Sequence, residues 1–401
     1  MTTPDFAPLR GKRVIEVSHM IFGPSAGYFL AALGADVIKI EPPGGDKTRR
    51  LTGMGAAFFP AFNRGKRSVS LDMDCAEGRQ AFETLLVTAD ILVENFRDSS
   101  LAAMGLDPAT LQAQHPGLIV VACKGFLNGP YRNRSALDEV VQMMTGLAYM
   151  TGPPGQPLRT GASVNDIMGG LFGALAVLGA LYQRCDDAPD AQPDTAPVFR
   201  IGLFENSMFL VTQHMVQYAL QGVEPEPMPS REFTWPVYDI FQTADERSVF
   251  VGAVTEGQWQ TLCTLLDLQT LLEDPRLAGR MDRIAARNWT LPIIARAVAT
   301  MTAATLMRRL EKEGIPFAPV TRPAELYTDP QAQAGGGLPT THLPDGRHLT
   351  MPGLPIEING DRLNRDLDVP ASGADTNEIL HDLGFDEGFI ARARGRDGAA
   401  S

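Results

Sequence analysis

The pattern in this sequence best suited to chemistry is Ser163-Val-Asn-Asp166-Ile-Met-Gly-Gly170, which runs straight into the apolar stretch Leu171–Leu181. A segment apolar on nearly every face reads as a buried helix. Asp166 stands at its beginning, where a carboxylate has two uses. As a cap it would accept backbone N–H bonds, worth about 0.5–2 kcal/mol to the helix. As a nucleophile it would attack an activated acyl carbon, with helix N–H groups steadying the developing charge and the glycines letting a ligand approach the backbone. Spacing alone leaves both open.

Two further segments border the same half of the chain. Gly23-Pro-Ser-Ala-Gly27 follows a first strand-like run, and Glu41-Pro-Pro-Gly-Gly-Asp46-Lys47-Thr48-Arg49-Arg50 follows a second. Neither has the glycine spacing of a dinucleotide fingerprint or the Gly-Lys-Ser/Thr ending of a phosphate P-loop. Tight turns with a solvated basic end explain them equally well. Cys75, Cys123, Cys185 and Cys263 lie far apart, as do the six histidines, so no metal spacing and no disulfide framework is present.

The elements that must position these residues alternate. Short β-branched runs recur at Arg13–Val17, Asp36–Ile40, Asp90–Val93, Leu118–Ala122 and Phe199–Phe204. Between the third and its predecessor, Ala81, Phe82, Leu85, Leu86 and Ala89 recur at helical steps. Such alternation predicts an α/β fold with a parallel sheet covered on both faces, whose ligands gather at the carboxyl ends of the strands. Arg184–Val198 reads as an exposed loop, Asn206–Leu220 as one long helix, and Glu224–Pro236 as a linker. A smaller α+β region follows, with a strand at Ser248–Val254 and helices at Trp259–Leu266, Ile294–Met301 and Thr305–Glu313. Leu349–Ile356 resumes as strand. The expected division is 1–222, 223–330 and 331–401.

Composition narrows the function. The 401 residues are 44% hydrophobic and 20% charged, which excludes a disordered or fibrous chain. A net charge of −12 disfavours non-specific nucleic-acid binding and a basic membrane anchor. Met1 to Lys12 does not read as a secretory signal, and the apolar run Ile167–Tyr182 is shorter than the roughly 20 residues a spanning helix needs. The expectation is a cytoplasmic, metal-free protein with no permanent cofactor.

Several blocks together resemble the class III CoA-transferases, the CaiB/BaiF group. They are Leu9-Arg-Gly-Lys-Arg-Val-Ile-Glu-Val, Leu33-Gly-Ala-Asp-Val-Ile-Lys-Ile-Glu-Pro-Pro-Gly-Gly-Asp46, Asn63-Arg-Gly-Lys-Arg-Ser-Val-Ser-Leu-Asp72, Glu94-Asn-Phe-Arg97, Lys124-Gly-Phe126, Ser163-Val-Asn-Asp166 and Asp375-Thr-Asn-Glu-Ile-Leu-His-Asp-Leu-Gly-Phe385. They cover nearly the whole chain in order.

The resemblance implies a Rossmann-like large domain that takes back the C-terminal segment, a small α+β domain, and two subunits interlocked as a homodimer. It implies coenzyme A and acyl-CoA as substrates alongside carboxylic acids, and an aspartate nucleophile at Asp166. Leu71, Asn95, Phe96 and Lys124 match CoA-contacting positions, with Arg97 adjoining; Arg49, Arg67 and Phe126 are weaker candidates. Lys47, Arg50 and Lys66 join the cations expected in loops to meet the phosphates. The implied reaction passes through acyl-aspartyl anhydrides and an aspartyl-CoA thioester.

Departures from the pattern are informative. Racemases of this fold pair the aspartate with a histidine for two-base proton exchange, and the matching position here is Leu137, which cannot accept a proton. Glu256 falls at a small-domain glutamate shared by both branches, and a surface role serves it equally well. Pro227–Pro236 lacks the glycine-rich run of formyl-CoA transferases, and Ile21 replaces their glutamine. With Phe22, Met143 and Met144, Ile21 points to a larger acid than formate or oxalate. A catalytically silent acyl-CoA-binding protein is the alternative outside catalysis.

Overall fold

The computed structural model describes residues 6–186, 195–230, 235–365 and 367–395, without the side chains of 185 and 186. The chain divides into two compact units, Met1–Pro229 with Pro330–Ser401, and Ser230–Asp329.

The larger unit is built on six parallel strands: β1 Arg13–Val17, β2 Asp36–Glu41, β3 Arg67–Ser70, β4 Ile91–Glu94, β5 Ile119–Lys124 and β6 Val198–Gly202. Their order is β3-β2-β1-β4-β5-β6, every pairing parallel. This is the doubly wound arrangement, whose order reverses between β1 and β4 and opens a crevice there at the carboxyl ends. Alternate residues of each strand feed two cores. Val14, Val37, Val93 and Val121 face α1 (Phe22–Ala32), whereas Ile15, Ile38, Leu92 and Val120 face the helix Ala76–Val87. The C-terminal helices Thr376–Asp382 and Glu387–Ala393 return to the second face, where Ile379, Leu380, Ile390 and Ala393 join Phe82 and Val69.

Four further helices matter to the site: α2 Asp138–Met144, α3 Val164–Asp186 and, after β6, α4 Leu203–Leu210 followed by α5 Thr212–Gln221. The expected single helix Asn206–Leu220 is therefore two. The break falls at Val211, where the hydroxyl of Thr212 bonds back to the Phe209 carbonyl at 2.8 Å and competes with the helical ladder. α3 also differs from expectation. Ala174, Val177 and Ala180 are buried in the core, but Leu171, Leu175 and Tyr182 are exposed, so it is not apolar-and-buried on all faces. At 23 residues it is one helix long and apolar enough to cross a membrane, longer than its apolar run suggested. Of the expected loop Arg184–Val198, residues 184–186 continue α3, and 187–194 lie outside the described residues.

β3 has no counterpart in the periodicity reading, because Arg-Ser-Val-Ser carries one apolar residue at the sheet edge. Of Leu349–Ile356 only the first two residues pair, within His348–Thr350, since Pro352, Gly353 and Pro355 interrupt a ladder. In the smaller unit Val237–Gln242, Ser248–Ala253 and Phe317–Pro319 form an antiparallel sheet over a core of Trp259, Leu262, Ile294, Val298, Leu306 and Leu310.

Candidate active site

Asp166 occupies the third position of α3, within its first turn rather than at its cap. The capping work belongs to Asp138, the first residue of α2. One oxygen of its carboxylate accepts the N–H of Asn165 at 2.9 Å and that of Asp166 at 3.3 Å; the other accepts Gln142 Nε2 at 2.5 Å. Arg159 stands alongside, its Nε 3.8 Å from Asp138 and a terminal nitrogen donating to Ser163 Oγ at 2.9 Å. Among the described residues none donates a hydrogen bond to the Asp166 carboxylate itself. The first-turn N–H groups expected to steady charge on a reacting acyl group are thus already taken at 165 and 166.

The carboxyl of Asp166 is pushed up to about 7, chiefly by burial, then by the negative charge of Asp138, with Arg159 opposing. An acid near the N-terminus of a helix ordinarily gains from the dipole and titrates low. Here withdrawal from water outweighs that gain. The result is a carboxylate that is about half ionised at neutral pH and more nucleophilic than a solvated one.

The glycines after Asp166 serve packing rather than ligand access. A side chain at Gly170 would strike Ser25 and Ala26, and one at Gly169 would strike Phe22 and Asn206. They let α3 lie against the first turn of α1, where Ser25 Oγ donates to the Asp166 carbonyl at 3.1 Å. Ile21 and Phe22 are buried, and Met143 is exposed.

The positions matched to CoA contacts gather at the carboxyl ends of the strands, each in a definite state. Asn95 bridges the crevice: its Nδ2 donates to the His19 carbonyl at 2.8 Å and its Oδ1 accepts the His19 N–H at 3.1 Å. Phe96 lies 5.6 Å from the His19 ring, centroid to centroid. Leu71 is wholly buried, and its N–H donates to the Glu41 carbonyl at 2.9 Å. Lys124 is buried against Glu94 at 2.8 Å and donates to the Phe96 carbonyl. Arg97 is exposed and reaches Ser135 Oγ at 2.9 Å. Phe126 is a core residue, packed on Tyr131 and Phe204.

Three of the cations expected in loops are structural. Arg49 grips Glu41 at 2.6 and 2.7 Å and lies over the Phe59 ring. Arg67 is on β3 rather than in a loop, and pairs with Glu378 at 2.8 Å. Lys66 is buried against Glu16 at 2.6 Å and donates to the Pro24 carbonyl at the start of α1; burial brings it down to about 8. Lys47, Arg50 and Arg97 are left at the surface of the strand ends. In the smaller unit Glu256 pairs with Arg283 at 2.7 Å in the first turn of its helix.

A cavity of about 180 Å³ lies on the other side of β5, lined by Val120, Ala122, Glu94, Asp98, Lys124 and Arg200 among others. Asp166 is not part of its wall. Asp98 there is held at about 2, burial being overcome by the hydrogen bonds and charges of Arg200, Arg132 and Lys124. Sequence reading missed Asp138, Gln142 and Arg159. No spacing rule links them to position 166, 28 residues beyond Asp138; the only local hint is the i, i+4 pair Asp138–Gln142.

With this geometry in view, the comparisons are decisive. A family model described as CoA-transferase family III matches residues 9–376. The chain belongs to CoA-transferase family III. Family III relatives include a succinate–glutarate CoA-transferase of Agrobacterium fabrum, 32% identical over 94% of this chain and 96% of that one. Another is a succinyl-CoA–D-citramalate CoA-transferase of Chloroflexus aurantiacus, 30% identical over 94% of each. The crystal structure of a CaiB/BaiF family protein from Brucella suis superposes with a TM-score of 0.85 at 30% identity, covering 94% of this chain and all of that one. As a family III member the protein is an enzyme of the CoA-transferase class, acting on CoA thioesters. Leu137, at the position where racemases of this fold were expected to carry their histidine, is 68% exposed and has no group to exchange a proton.

Proposed function

We propose that this protein moves CoA from a dicarboxylyl thioester, succinyl-CoA being the first candidate, to a second carboxylic acid, with Asp166 as the nucleophile. The observation that carries this is a desolvated carboxyl group, raised to about 7, with no hydrogen-bond donor among the described residues to tie up its lone pairs. A carboxylate oxygen of Asp166 attacks the thioester carbon, and the C–S bond breaks to release CoA thiolate and leave a mixed anhydride. The thiolate attacks the aspartyl carbonyl, freeing the donor acid and leaving an aspartyl-CoA thioester. The acceptor carboxylate then displaces the thiolate to form a second anhydride. Attack of the thiolate on the acceptor's acyl carbon yields the new acyl-CoA and regenerates the Asp166 carboxylate. Water would hydrolyse each intermediate, so Asp166, half-buried in the single chain, must be screened further once substrate is bound.

Coenzyme A would lie along the strand ends near Asn95 and Phe96, with Lys47, Arg50 and Arg97 meeting its phosphates. Exposed apolar residues on α3, α4 and α5 support a homodimer, interlocked as the resemblance implied. The free thiols of Cys75, Cys123 and Cys263 suit a reducing cytoplasm. The test is a matrix of acyl-CoA donors against acid acceptors, read by mass, with hydroxylamine present. A hydroxamate on Asp166 and loss of exchange in Asp166→Ala are expected; normal exchange in that variant overturns the assignment.

A further inference from the structure

We propose that Asp138 is a positioning residue for Asp166: it holds the backbone N–H groups of Asn165 and Asp166 at the start of α3, and it sets a second anion beside the Asp166 carboxylate. The proposal rests on the reading of Asp166 as nucleophile.

At the third position of a helix an acidic side chain can reach back to the N–H of the capping residue, but Asp166 makes no such bond, and the N–H groups of its own turn go elsewhere. Here those of Asn165 and Asp166 point to Asp138, at 2.9 and 3.3 Å. Asp138 is itself immobilised. It is buried, Gln142 Nε2 donates to its other oxygen, and Gln142 Oε1 in turn accepts the N–H of Thr160 at 2.9 Å. This chain ties the start of α2, the 159–163 loop and the start of α3 into one unit, which Ser25 joins from α1. The backbone of Asp166 is thus fixed while its carboxyl is left without hydrogen bonds.

The other groups packed around Asp166 do not compensate. Arg159 is the cation acting on it, and its charge is shared with Asp138. From β5 comes Cys123, whose thiol is pushed well above its ordinary value, first by burial and then by Glu94, and stays neutral. On β6, Arg200 lies in the wall of the cavity that excludes Asp166 and is committed to Asp98 at 3.0 Å. α1 presents Phe22, Ser25 and Ala26, and α4 presents Asn206, while its Glu205 turns to the N–H of Leu127. Asp138 therefore adds its charge to the effect of burial and fixes the geometry through its hydrogen bonds.

These two roles separate in Asp138→Asn, which keeps an oxygen for the N–H groups and loses the charge. The readout is a carbon-13 carboxyl NMR titration of the full-length protein, with the Asp166 resonance assigned by its loss in Asp166→Asn. The wild-type midpoint is expected near 7, and that of Asp138→Asn lower by about one unit, a tenfold change in the ionisation constant. The acid limb of kcat should move with it, and plateau kcat should fall by roughly tenfold with KM for acyl-CoA within about threefold, since basicity and nucleophilicity fall together. Asp138→Ser likewise keeps an oxygen and removes the charge; it should lower the midpoint in the same direction, which keeps the test alive if Asp138→Asn does not fold. An unchanged midpoint in either folded variant overturns the role of Asp138, whatever the activity. Failure of hydroxylamine trapping would instead remove the nucleophile reading and leave the titration result intact.

Discussion

Ser25 and Asp166 are joined by a single hydrogen bond, from the Ser25 hydroxyl to the Asp166 carbonyl at 3.1 Å, so the first turn of α1 carries the first turn of α3. The same hydroxyl also reaches the Phe22 carbonyl at 2.8 Å. Gly170 makes this approach possible. A methyl group there would meet not only the Ser25 hydroxyl but the backbone of Ser25 and Ala26, which cannot rotate away. Gly170→Ala is therefore expected to destabilise the protein by about 1–3 kcal/mol, the range for an overpacked core. Loss of exchange should exceed the loss of folded protein, because the strain falls on the backbone of Asp166. Adding Ser25→Ala should not restore it, since the backbone contacts remain. Chemical denaturation and turnover of the two variants check this, and a fully active Gly170→Ala would refute the close approach.

The acyl-transfer half-reaction should lose rate below about pH 7, by roughly tenfold per unit, because only the ionised carboxylate attacks. A solvated aspartate would place that limb near 4. Single-turnover formation of free CoA thiol as a function of pH distinguishes the two. A limb near 4 would mean that the carboxyl is hydrated in solution.

The raised carboxyl also burdens the fold. Below about pH 4 the group is protonated in both the native and the unfolded chain and costs nothing. As pH rises towards 7 the unfolded chain ionises first, so stability is lost, and above 7 the loss is complete. Asp166→Asn removes this burden. It should stabilise the inactive protein by roughly 2–4 kcal/mol at pH 8, with the gain vanishing near pH 4. Urea unfolding at the two values measures it, and an equal gain at both would assign the effect to packing instead.

The sheet was largely legible in the sequence because parallel strands buried on both faces read as β-branched runs. Arg13–Val17 is one such run and matches its strand end for end. β3 was hidden because an edge strand of alternating serines needs no such run. Asp166 was legible as a residue but not as an environment. Its neighbours Asp138 and Arg159 arrive from other segments, and only tertiary packing brings two carboxylates together at the start of α3. The cations show the same limit: their type and position suggested phosphate contacts, yet Lys66 is consumed by Glu16 and Arg49 by Glu41. A charge count cannot tell a binding cation from one neutralised within the core.

Leu171, Leu175 and Tyr182 repeat at helical spacing along α3 and are 54%, 59% and 70% exposed, and Phe209 on α4 and Tyr218 on α5 are also exposed. Burying a large apolar side chain is worth about 1.5–3 kcal/mol, so a surface of this kind stays in water only at considerable cost. A second copy of the chain is the occupant proposed. Since α3 begins with the turn that holds Asp166, covering its exposed stripe would also stiffen the nucleophile. Leu175→Asp should therefore halve the mass seen by light scattering, and lower kcat more than it raises KM for acyl-CoA. Wild-type protein that already scatters as a single chain at micromolar concentration would remove the dimer, and with it this route from the outer face of α3 to the chemistry at its start.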